Sequence, residues 1–233
     1  NTHGLVMRLL SCLPPAHADR PLRVLTTDGE FHSFRRQLQR LEEAGLAVAT
    51  RVPVAPWGGV AGRLEAEASR GGWDLVYVSQ VFFDSGYALT DGELGRICAA
   101  VADDATFIVI DGYHGFMARP TDLSEIEGRA FYMAGGYKYA MAGEAACWMH
   151  APPGYGPRPR DTGWFAAFSA LADPQGESRV PYPPDDNADR FLGATIEPTP
   201  IHRYVAVQRW MRRIGLTTDG IQAHVRELHE RFL

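Results

Sequence analysis

Apolar runs alternate with helix-like segments along the first 115 residues of the chain. Four runs predict strands that are largely buried: "LRVLTT" (22–27), "LAVATRVPV" (46–54), "WDLVYVSQV" (73–81) and "TFIVIDGYHG" (106–115). The segments between them, at residues 34–45, 60–72 and 91–103, have the pattern of helices. Strands that alternate with helices form a mostly parallel sheet with helices on both faces, so the predicted fold class is α/β.

The rest of the chain predicts five further elements. These are a helix at 1–13, strands at 129–139 and 144–152, and helices at 201–215 and 218–233. Residues 152–200 are rich in Pro, Gly and Asp, which predicts a long surface excursion or linker. We expect a large domain over residues 1–200, with residues 201–233 leading toward a smaller C-terminal domain. Because the sequence opens inside a helical pattern without an initiator Met, we expect it to be the middle of a longer protein.

The composition narrows the class of protein. The 233 residues are 45% hydrophobic and 22% charged, and the net charge is −5 with scattered arginines. This is ordinary for a globular protein and predicts no nucleic-acid surface. No apolar run approaches the ~20 residues that span a bilayer, so we expect no membrane segment. Cys12, Cys98 and Cys147 are odd in number and far apart, which favours reduced core cysteines, a cytoplasmic protein and no metal site.

The segment "GGYKY" (135–139) contains the only lysine of the chain, although lysine and arginine together number 23. Arginine replaces lysine readily on a solvated surface, but a guanidinium cannot lose its proton, whereas a desolvated amine becomes a nucleophile. Lys138 is therefore a candidate for covalent chemistry. The alternative is an arginine-biased composition in which one lysine survived by chance, and the neighbouring residues must decide.

Polar residues follow several of the predicted strands, and ligands of such a sheet bind beyond the carboxyl ends of its strands. These residues are Asp28 to Ser33, Ser79 and Gln80, Asp111 to His114, and the loop of Lys138. Asp111 follows the apolar run "FIVI" and precedes Lys138 by 27 residues, which places the two on neighbouring strand ends. If Asp111 and Lys138 formed a direct ion pair, the pair would have only a structural role. If a pyridine nitrogen lay on Asp111 and Lys138 held an aldehyde, they would form a pyridoxal phosphate (PLP) site.

At this point the sequence resembles a known family. The segment "DGYHG…GGYKYAMAGEAACWMHAP" resembles the core of the class V, fold-type-I PLP enzymes, and kynureninase most of all. Four more segments resemble that family in matching order: "NTHGLVMRLLSCL", "EFHSF", "VYVSQVFFDSG" and "TGWF". The resemblance covers nearly the whole chain. It implies a PLP-binding large domain that lacks the family's N-terminal segment and C-terminal small domain.

The resemblance implies a role for each of nine residues. Lys138 would carry the cofactor as a Schiff base and afterwards move the Cα proton, and Asp111 would keep the pyridine nitrogen protonated. Phe31 would stack on the cofactor ring, and His114 and Ser79 would complete the pocket around that ring. Tyr137, Ser33 and the Trp164 of a second copy would form hydrogen bonds to the phosphate. Thr195 would make a further contact. Taken singly, Phe31 and Trp164 also fit a hydrophobic core, His114 fits a buried histidine, and Ser33, Ser79 and Thr195 fit plain structural positions.

The resemblance implies an enzyme that acts on an amino acid by kynureninase-like hydrolysis of a Cβ–Cγ bond. A class V aminotransferase or a β-lyase would use the same Lys138 and Asp111, so both remain alternatives, whereas no cysteine lies where a cysteine desulfurase needs its mobile thiol. A degenerate domain that serves as an interaction module is the alternative of another class. A homodimer with shared active sites is also expected, because a symmetric copy would cover Trp164, Phe165 and Phe168.

Overall fold

A computed structural model describes residues 1–13, 20–153, 158–172 and 188–232. It contains six helices and six strands within these ranges, in the following order: α1 (Thr2–Cys12), β1 (Leu22–Thr27), α2 (His32–Glu43), β2 (Ala47–Val52), α3 (Val60–Ala68), β3 (Leu75–Ser79), α4 (Asp91–Ala100), β4 (Phe107–Asp111), β5 (Phe131–Gly135), β6 (Cys147–His150), α5 (Thr199–Ile214) and α6 (Thr218–Phe232). Short 3₁₀ segments occur at Trp57–Gly59, Trp164–Ala172 and Ala188–Phe191. None of the described helices is long and apolar enough to cross a membrane.

The strands form one sheet in the order β2-β1-β3-β4-β5-β6. The first five strands are parallel, and β6 runs antiparallel to β5. The carboxyl ends of β1, β3, β4 and β5 therefore meet at one edge of the sheet, where a ligand site is expected. The predicted fold class, a mostly parallel sheet covered by helices, is confirmed.

Alternate residues of the strands enter two separate hydrophobic cores. On β3, Val76 and Val78 pack into the core that contains residues of α3 and α4. Leu75 and Tyr77, which point to the other face, pack into the core that contains residues of α1 and α2. Successive strand residues point to opposite faces of a sheet, and both faces of this one are covered. This explains why β3, β4 and β5, which are buried along their whole length, are nearly continuous apolar runs.

The strands are shorter than the apolar runs that predict them. β4 ends at Asp111 and β5 ends at Gly135, whereas the predicted strands extend to residues 115 and 139. The backbone N–H of Tyr113 donates to Asp111 Oδ1 at 3.0 Å, which closes a turn directly after β4. The polar residues that follow each strand thus form turns at the sheet edge instead of continuing the ladder.

Most described residues of 152–200 are exposed, as the predicted surface excursion requires, but a few buried residues anchor the segment to the rest of the fold. Phe191 is buried, and its ring packs edge-on against Phe131 of β5 at 5.6 Å. Arg160 donates from Nη1 to the carbonyl oxygen of Leu13, at the end of α1, at 2.6 Å. This segment therefore covers α1 and one end of the sheet. The remainder of the predicted excursion, at 154–157 and 173–187, lies outside the described residues.

The first helix after residue 200 packs against the loop that follows β4. The ring of Tyr204 on α5 lies 6.3 Å from that of Phe116, and Gln208 Nε2 lies 3.9 Å from Met117 Sδ. The division of the chain at residue 200 stays a prediction.

Candidate active site

Asp111 lies at the carboxyl end of β4 and is buried. Its carboxylate accepts two hydrogen bonds, one from the Tyr77 hydroxyl to Oδ2 at 2.8 Å and one from the Tyr113 backbone to Oδ1 at 3.0 Å. Burial raises the pKa of Asp111 above its ordinary value, while these two donors and the nearby charge of Lys138 oppose that rise. A buried carboxylate held by two donors and facing a cation is equipped to accept a further hydrogen bond from a cationic ligand.

A second carboxyl group, that of Glu30, is buried at the same edge. Glu30 lies in the turn between β1 and α2, and its Oε1 accepts from Thr27 Oγ1 at 2.6 Å and from the Ser79 backbone N–H at 3.3 Å. Its Oε2 accepts from the Ser79 hydroxyl at 2.6 Å. Burial is the largest cause that raises the pKa of Glu30, and together with the charge of Asp111 it raises that pKa to about 7.

Lys138 lies in the loop between β5 and β6, and its amine contacts Nε2 of His114. Burial lowers the pKa of Lys138, and the charge of Asp111 opposes this change. Burial and the neighbouring Lys138 charge lower the pKa of His114 to about 4, so the imidazole is neutral at pH 7 and its Nε2 accepts from the ammonium. Among the described ion pairs none includes Lys138, which leaves its amine available for chemistry.

Aromatic rings surround the Lys138 amine. Lys138 Nζ lies 5.4 Å from the ring centroid of Phe31, 5.7 Å from that of Tyr113 and 5.9 Å from that of Tyr137. Phe31 also contacts His114 edge-on at 5.8 Å and Phe83 at 5.2 Å. The resulting wall excludes water from one side of the amine, which is consistent with its lowered pKa.

Two glycines allow the tyrosines to approach the sheet edge. A Cβ atom on Gly135 would lie 1.9 Å from the Tyr113 hydroxyl oxygen, and one on Gly112 would lie 2.0 Å from that of Tyr132. The Tyr113 hydroxyl also lies 2.7 Å from Sγ of Cys147, the β6 residue paired with Gly135. Since no larger residue fits at these positions, the glycines of the "DGYHG" and "GGYKY" segments are required by packing.

The amino-terminal end of α1 lies at the same site. Thr2 is buried beside the Tyr113 hydroxyl, and the Asn1 side chain caps the helix by accepting from the Gly4 backbone at 2.9 Å. Tyr113 in turn packs against Tyr137, with ring centroids 5.2 Å apart. A helix N-terminus favours negative charge, so this side of the site suits an anionic group.

The structure brings six of the nine predicted site residues together. Lys138, His114, Phe31 and Tyr137 are joined by the contacts above, Asp111 acts on Lys138 through its charge, and Ser79 pairs with Asp111 in the register of β3 and β4. Ser79 donates its hydroxyl hydrogen to Glu30, so this hydrogen bond joins two residues at the sheet edge.

The other three predicted residues are not joined to this cluster by any described contact. Ser33 lies in the first turn of α2, and Thr195 is exposed in the segment before α5. Trp164 is 43% exposed, and its ring stacks on Phe165 at 4.1 Å. The backbone N–H of Phe165 donates to the carbonyl oxygen of Gly193 at 3.0 Å, and Gly193 lies against Arg8 of α1. The cofactor contacts of these three residues stay predictions.

Glu30 and Tyr113 belong to the predicted ranges of strand-end residues but have no predicted role, and Tyr77 and Phe83 are not among the predicted site residues. Glu30 is adjacent to the predicted Phe31 in a segment flanked by polar turn residues, and nothing in the sequence indicates that its side chain is buried. Tyr77 occupies a position in the apolar run of β3 at which a polar hydroxyl needs a buried partner. That requirement was the one clue in the sequence.

No protein-family model matches the chain, and no curated protein matches it either. Solved structures do. A cysteine desulfurase from Thermococcus onnurineus superimposes with a TM-score of 0.70 at 17% identity, over 98% of this chain and 54% of that chain. The cystine C–S lyase C-DES, in complex with its product cysteine persulfide, gives 0.63 at 21% identity, over 97% and 54%.

A histidinol-phosphate aminotransferase from Sinorhizobium meliloti, in complex with pyridoxal 5′-phosphate, gives a TM-score of 0.56 at 15% identity, over 92% of this chain and 50% of that chain. This chain therefore spans about half the length of the solved chains it matches. The similarity establishes that its fold is that of PLP-dependent enzymes of fold type I.

Proposed function

We propose that this chain binds PLP through Lys138 and is the large domain of an enzyme that acts on an amino acid, with kynureninase-like hydrolytic cleavage of a Cβ–Cγ bond as its reaction. The observation that carries the proposal is the arrangement of Asp111 and Lys138. Both lie at the same edge of the sheet, each is perturbed by the charge of the other, and no described ion pair joins them. A ligand that binds a carboxylate at one end and reacts with an amine at the other end fits this arrangement.

The residues present fit each part of the cofactor. Asp111 holds a carboxylate where a protonated pyridine nitrogen would donate to it, and Phe31 offers a ring face beside Lys138 for stacking. Thr2 at the start of α1, with Tyr113 and Tyr137, would hold the phosphate. When bound, PLP supplies an aldehyde for the amine and a ring that withdraws electrons from the substrate carbon.

The chain's own residues would then perform three tasks. Burial of Lys138 favours its neutral amine, the form that attacks an aldehyde and that later accepts a proton from the substrate. His114, neutral at pH 7, accepts a hydrogen bond from the Lys138 amine and orients it. The wall formed by Phe31 and Phe83 keeps water from the amine. Trp164, whose side chain is partly exposed, would reach the phosphate of a second copy in a homodimer.

Absorption spectroscopy tests the proposal directly. The purified chain should take up PLP and develop a visible absorption band that borohydride abolishes, and peptide mapping should then locate the reduced adduct at Lys138. Because Lys138 is the only lysine, the N-terminal amine is the only competing site. Lys138→Arg should abolish the adduct with the fold intact, while Tyr139→Phe, at the exposed neighbouring tyrosine, is the matched control and should retain it.

Two outcomes would contradict the proposal. A chain that stays colourless after incubation with PLP would favour the non-enzymatic interaction module. An adduct that survives in Lys138→Arg would exclude Lys138 as the reactive amine. If the adduct forms as expected, release of alanine from L-kynurenine separates hydrolytic cleavage from transamination, which would instead convert PLP to its amine form.

A further inference from the structure

Two buried carboxyl groups, those of Glu30 and Asp111, lie close enough at this site for the charge of one to act on the other. Glu30 is linked to Ser79 of β3, and Asp111 is linked to Tyr77 of the same strand and faces Lys138. Ser79 and Asp111 are paired across β3 and β4. Within the described residues Glu30 makes no ion pair, so the two carboxyl groups share one nearby cation, Lys138, whose charge acts on Asp111. Two neighbouring buried carboxyl groups with one cation favour a state in which one of them is protonated.

We propose that Glu30 holds a proton at its Oε2 atom and, as a positioning residue acting through Ser79, sets the negative charge that Asp111 presents to a cationic ligand. This inference rests on the proposed function, since the ligand concerned is the protonated pyridine of PLP. It concerns Glu30, to which neither the sequence nor the similarity of fold assigns a role.

Glu30 is the better location for the proton because its charge is less well compensated. Asp111 accepts from Tyr77 and from the Tyr113 backbone, and it also faces the Lys138 ammonium. Glu30 accepts three hydrogen bonds, from Thr27 and from the hydroxyl and backbone N–H of Ser79, but these donors are neutral and the one charge that acts on Glu30 is the negative charge of Asp111. The pKa of Glu30, raised by burial to about 7, is consistent with this location.

The charged and titratable groups around Glu30 are few. Asp111 faces it from β4, and the phenol of Tyr77 faces it from β3. On its own turn, Asp28 is engaged at Oδ1 by the Val54 backbone N–H at 2.8 Å. Lys138 and His114 lie beyond Asp111. A change in charge at Asp111 is therefore the main external influence on Glu30.

Ser79 connects the proton to the ligand site. When Glu30 is ionised, the Ser79 hydroxyl donates to Oε2, as it does at 2.6 Å in this structure. When Oε2 carries a proton taken from solvent, that O–H donates to Ser79 Oγ, and the Ser79 hydrogen turns to another acceptor. The protonation state of Glu30 thus decides the direction of the Ser79 hydrogen bond, on the residue that pairs with Asp111.

The arrangement predicts a pH dependence of PLP binding. A pyridinium placed on Asp111 brings positive charge near Glu30 and lowers its pKa, so binding releases the Glu30 proton. By linkage, affinity must rise as the pH rises through the interval in which Glu30 ionises, by up to about tenfold per pH unit. Glu30→Gln cannot release this proton, so we expect it to lose several-fold of the change in PLP affinity that the wild type shows between pH 6 and pH 8.

Infrared spectroscopy of the chain without ligand tests the proton itself. The C=O stretch of a protonated buried carboxyl should be present at pH 6, should fade by pH 8 and should be absent from Glu30→Gln. Asp111→Asn removes the neighbouring negative charge, so it should move the midpoint of this band to lower pH. Ser79→Ala keeps Glu30 but removes a donor that lowers its pKa, so it should move the midpoint of this band, and the pH interval over which PLP affinity changes, to higher pH. Glu144→Gln, an exposed glutamate in the lysine loop, should change neither readout.

The outcomes separate the two proposals. If the wild type binds no PLP, the proposed function fails, and the infrared band still decides whether Glu30 holds a proton. If PLP binds but the pH dependence of its dissociation constant is equal in wild type and Glu30→Gln, the role of Glu30 is refuted and the proposed function stands. A band that persists in Glu30→Gln, or whose midpoint does not move in Asp111→Asn, also refutes it. Should Glu30→Gln not fold, the Asp111→Asn and Ser79→Ala measurements decide.

Discussion

The Tyr77 hydroxyl is the side-chain donor to the buried Asp111 carboxylate, and Tyr77→Phe removes it without changing the shape of the core. The ring of Tyr77 stacks on Phe34 with centroids 3.6 Å apart, a contact that phenylalanine retains. A hydrogen bond to a charged group contributes about 1.5–3 kcal/mol, and removing it leaves the carboxylate short of one partner. We expect Tyr77→Phe to lower the free energy of unfolding by about 2 kcal/mol at pH 8, and Tm by roughly 4–8 °C.

Tyr132→Phe provides the matched control. Tyr132 is an equally buried strand tyrosine, but its hydroxyl donates to a neutral acceptor, Oε1 of Gln80, at 2.8 Å. A neutral hydrogen bond contributes only about 0.5–1.5 kcal/mol, independent of pH. Tyr77→Phe instead raises the pKa of Asp111 further, so its cost is largest where Asp111 is ionised and shrinks as falling pH protonates that carboxyl group.

Urea-induced unfolding of both variants at pH 8 and at pH 5, with the slope m checked for constancy, measures these differences. Tyr77→Phe should lower the free energy of unfolding more than Tyr132→Phe does at pH 8, and the difference between the two variants should be smaller at pH 5. Equal costs at both pH values would mean that Asp111 is not held as a carboxylate by Tyr77.

Three further predictions concern the same chain. The pKa of Glu30 is about 7 in the native state against an ordinary 4.5, so between these pH values the native protein keeps a proton that the unfolded chain releases. The free energy of unfolding of the wild type should therefore fall by up to about 3 kcal/mol as the pH rises from 4.5 to 7. Unfolding of Glu30→Gln at pH 5 and pH 8 should lack this fall, and an equal pH dependence in the two proteins would contradict the prediction. Gly135→Ala places a Cβ 1.9 Å from a buried hydroxyl and should cost about 1–3 kcal/mol, whereas Gly128→Ala, with open space around it, should be neutral by thermal unfolding. Burial raises the pKa of Cys12 and Cys98 to about 12, so neither thiol should react with iodoacetamide in the folded chain, and labelling of either, detected by mass spectrometry, would show that its burial is wrong.

The location of the site follows from the sequence, but its composition follows only in part. Asp111 and Lys138 are recognisable because each follows an apolar strand, and the ends of parallel strands meet at one edge. Glu30 is not recognisable in this way, because its partner Ser79 lies 49 positions further along the chain. That contact exists only because β3 is placed beside β1, and strand order is decided by packing of the whole sheet.

Strand boundaries were overestimated for a similar reason. Residues 112–115 and 136–139 contain tyrosines, which are common in strands, so residue preference alone extends the predicted strands through them. Their backbone turns because Asp111 accepts from the Tyr113 N–H and because the Ala142 N–H donates to the carbonyl oxygen of Gly136 at 2.7 Å. The first is a side-chain-to-backbone bond, which competes with the sheet ladder, the second joins two backbone groups of the loop, and neither leaves a periodic signal in the sequence.

The antiparallel pairing of β5 with β6 has a kinetic consequence for the lysine loop. The parallel strands are connected through helices or long loops, whereas β5 and β6 are joined by residues 136–146 alone. Closing so short a loop loses little chain entropy, so this hairpin can open and re-form as a local unit while the pairs from β1 to β5 stay intact. Lys138 is thus carried by the part of the sheet whose amide hydrogens should exchange with solvent ahead of those in β3 and β4, and the proposed cofactor would be loaded through a local opening instead of global unfolding.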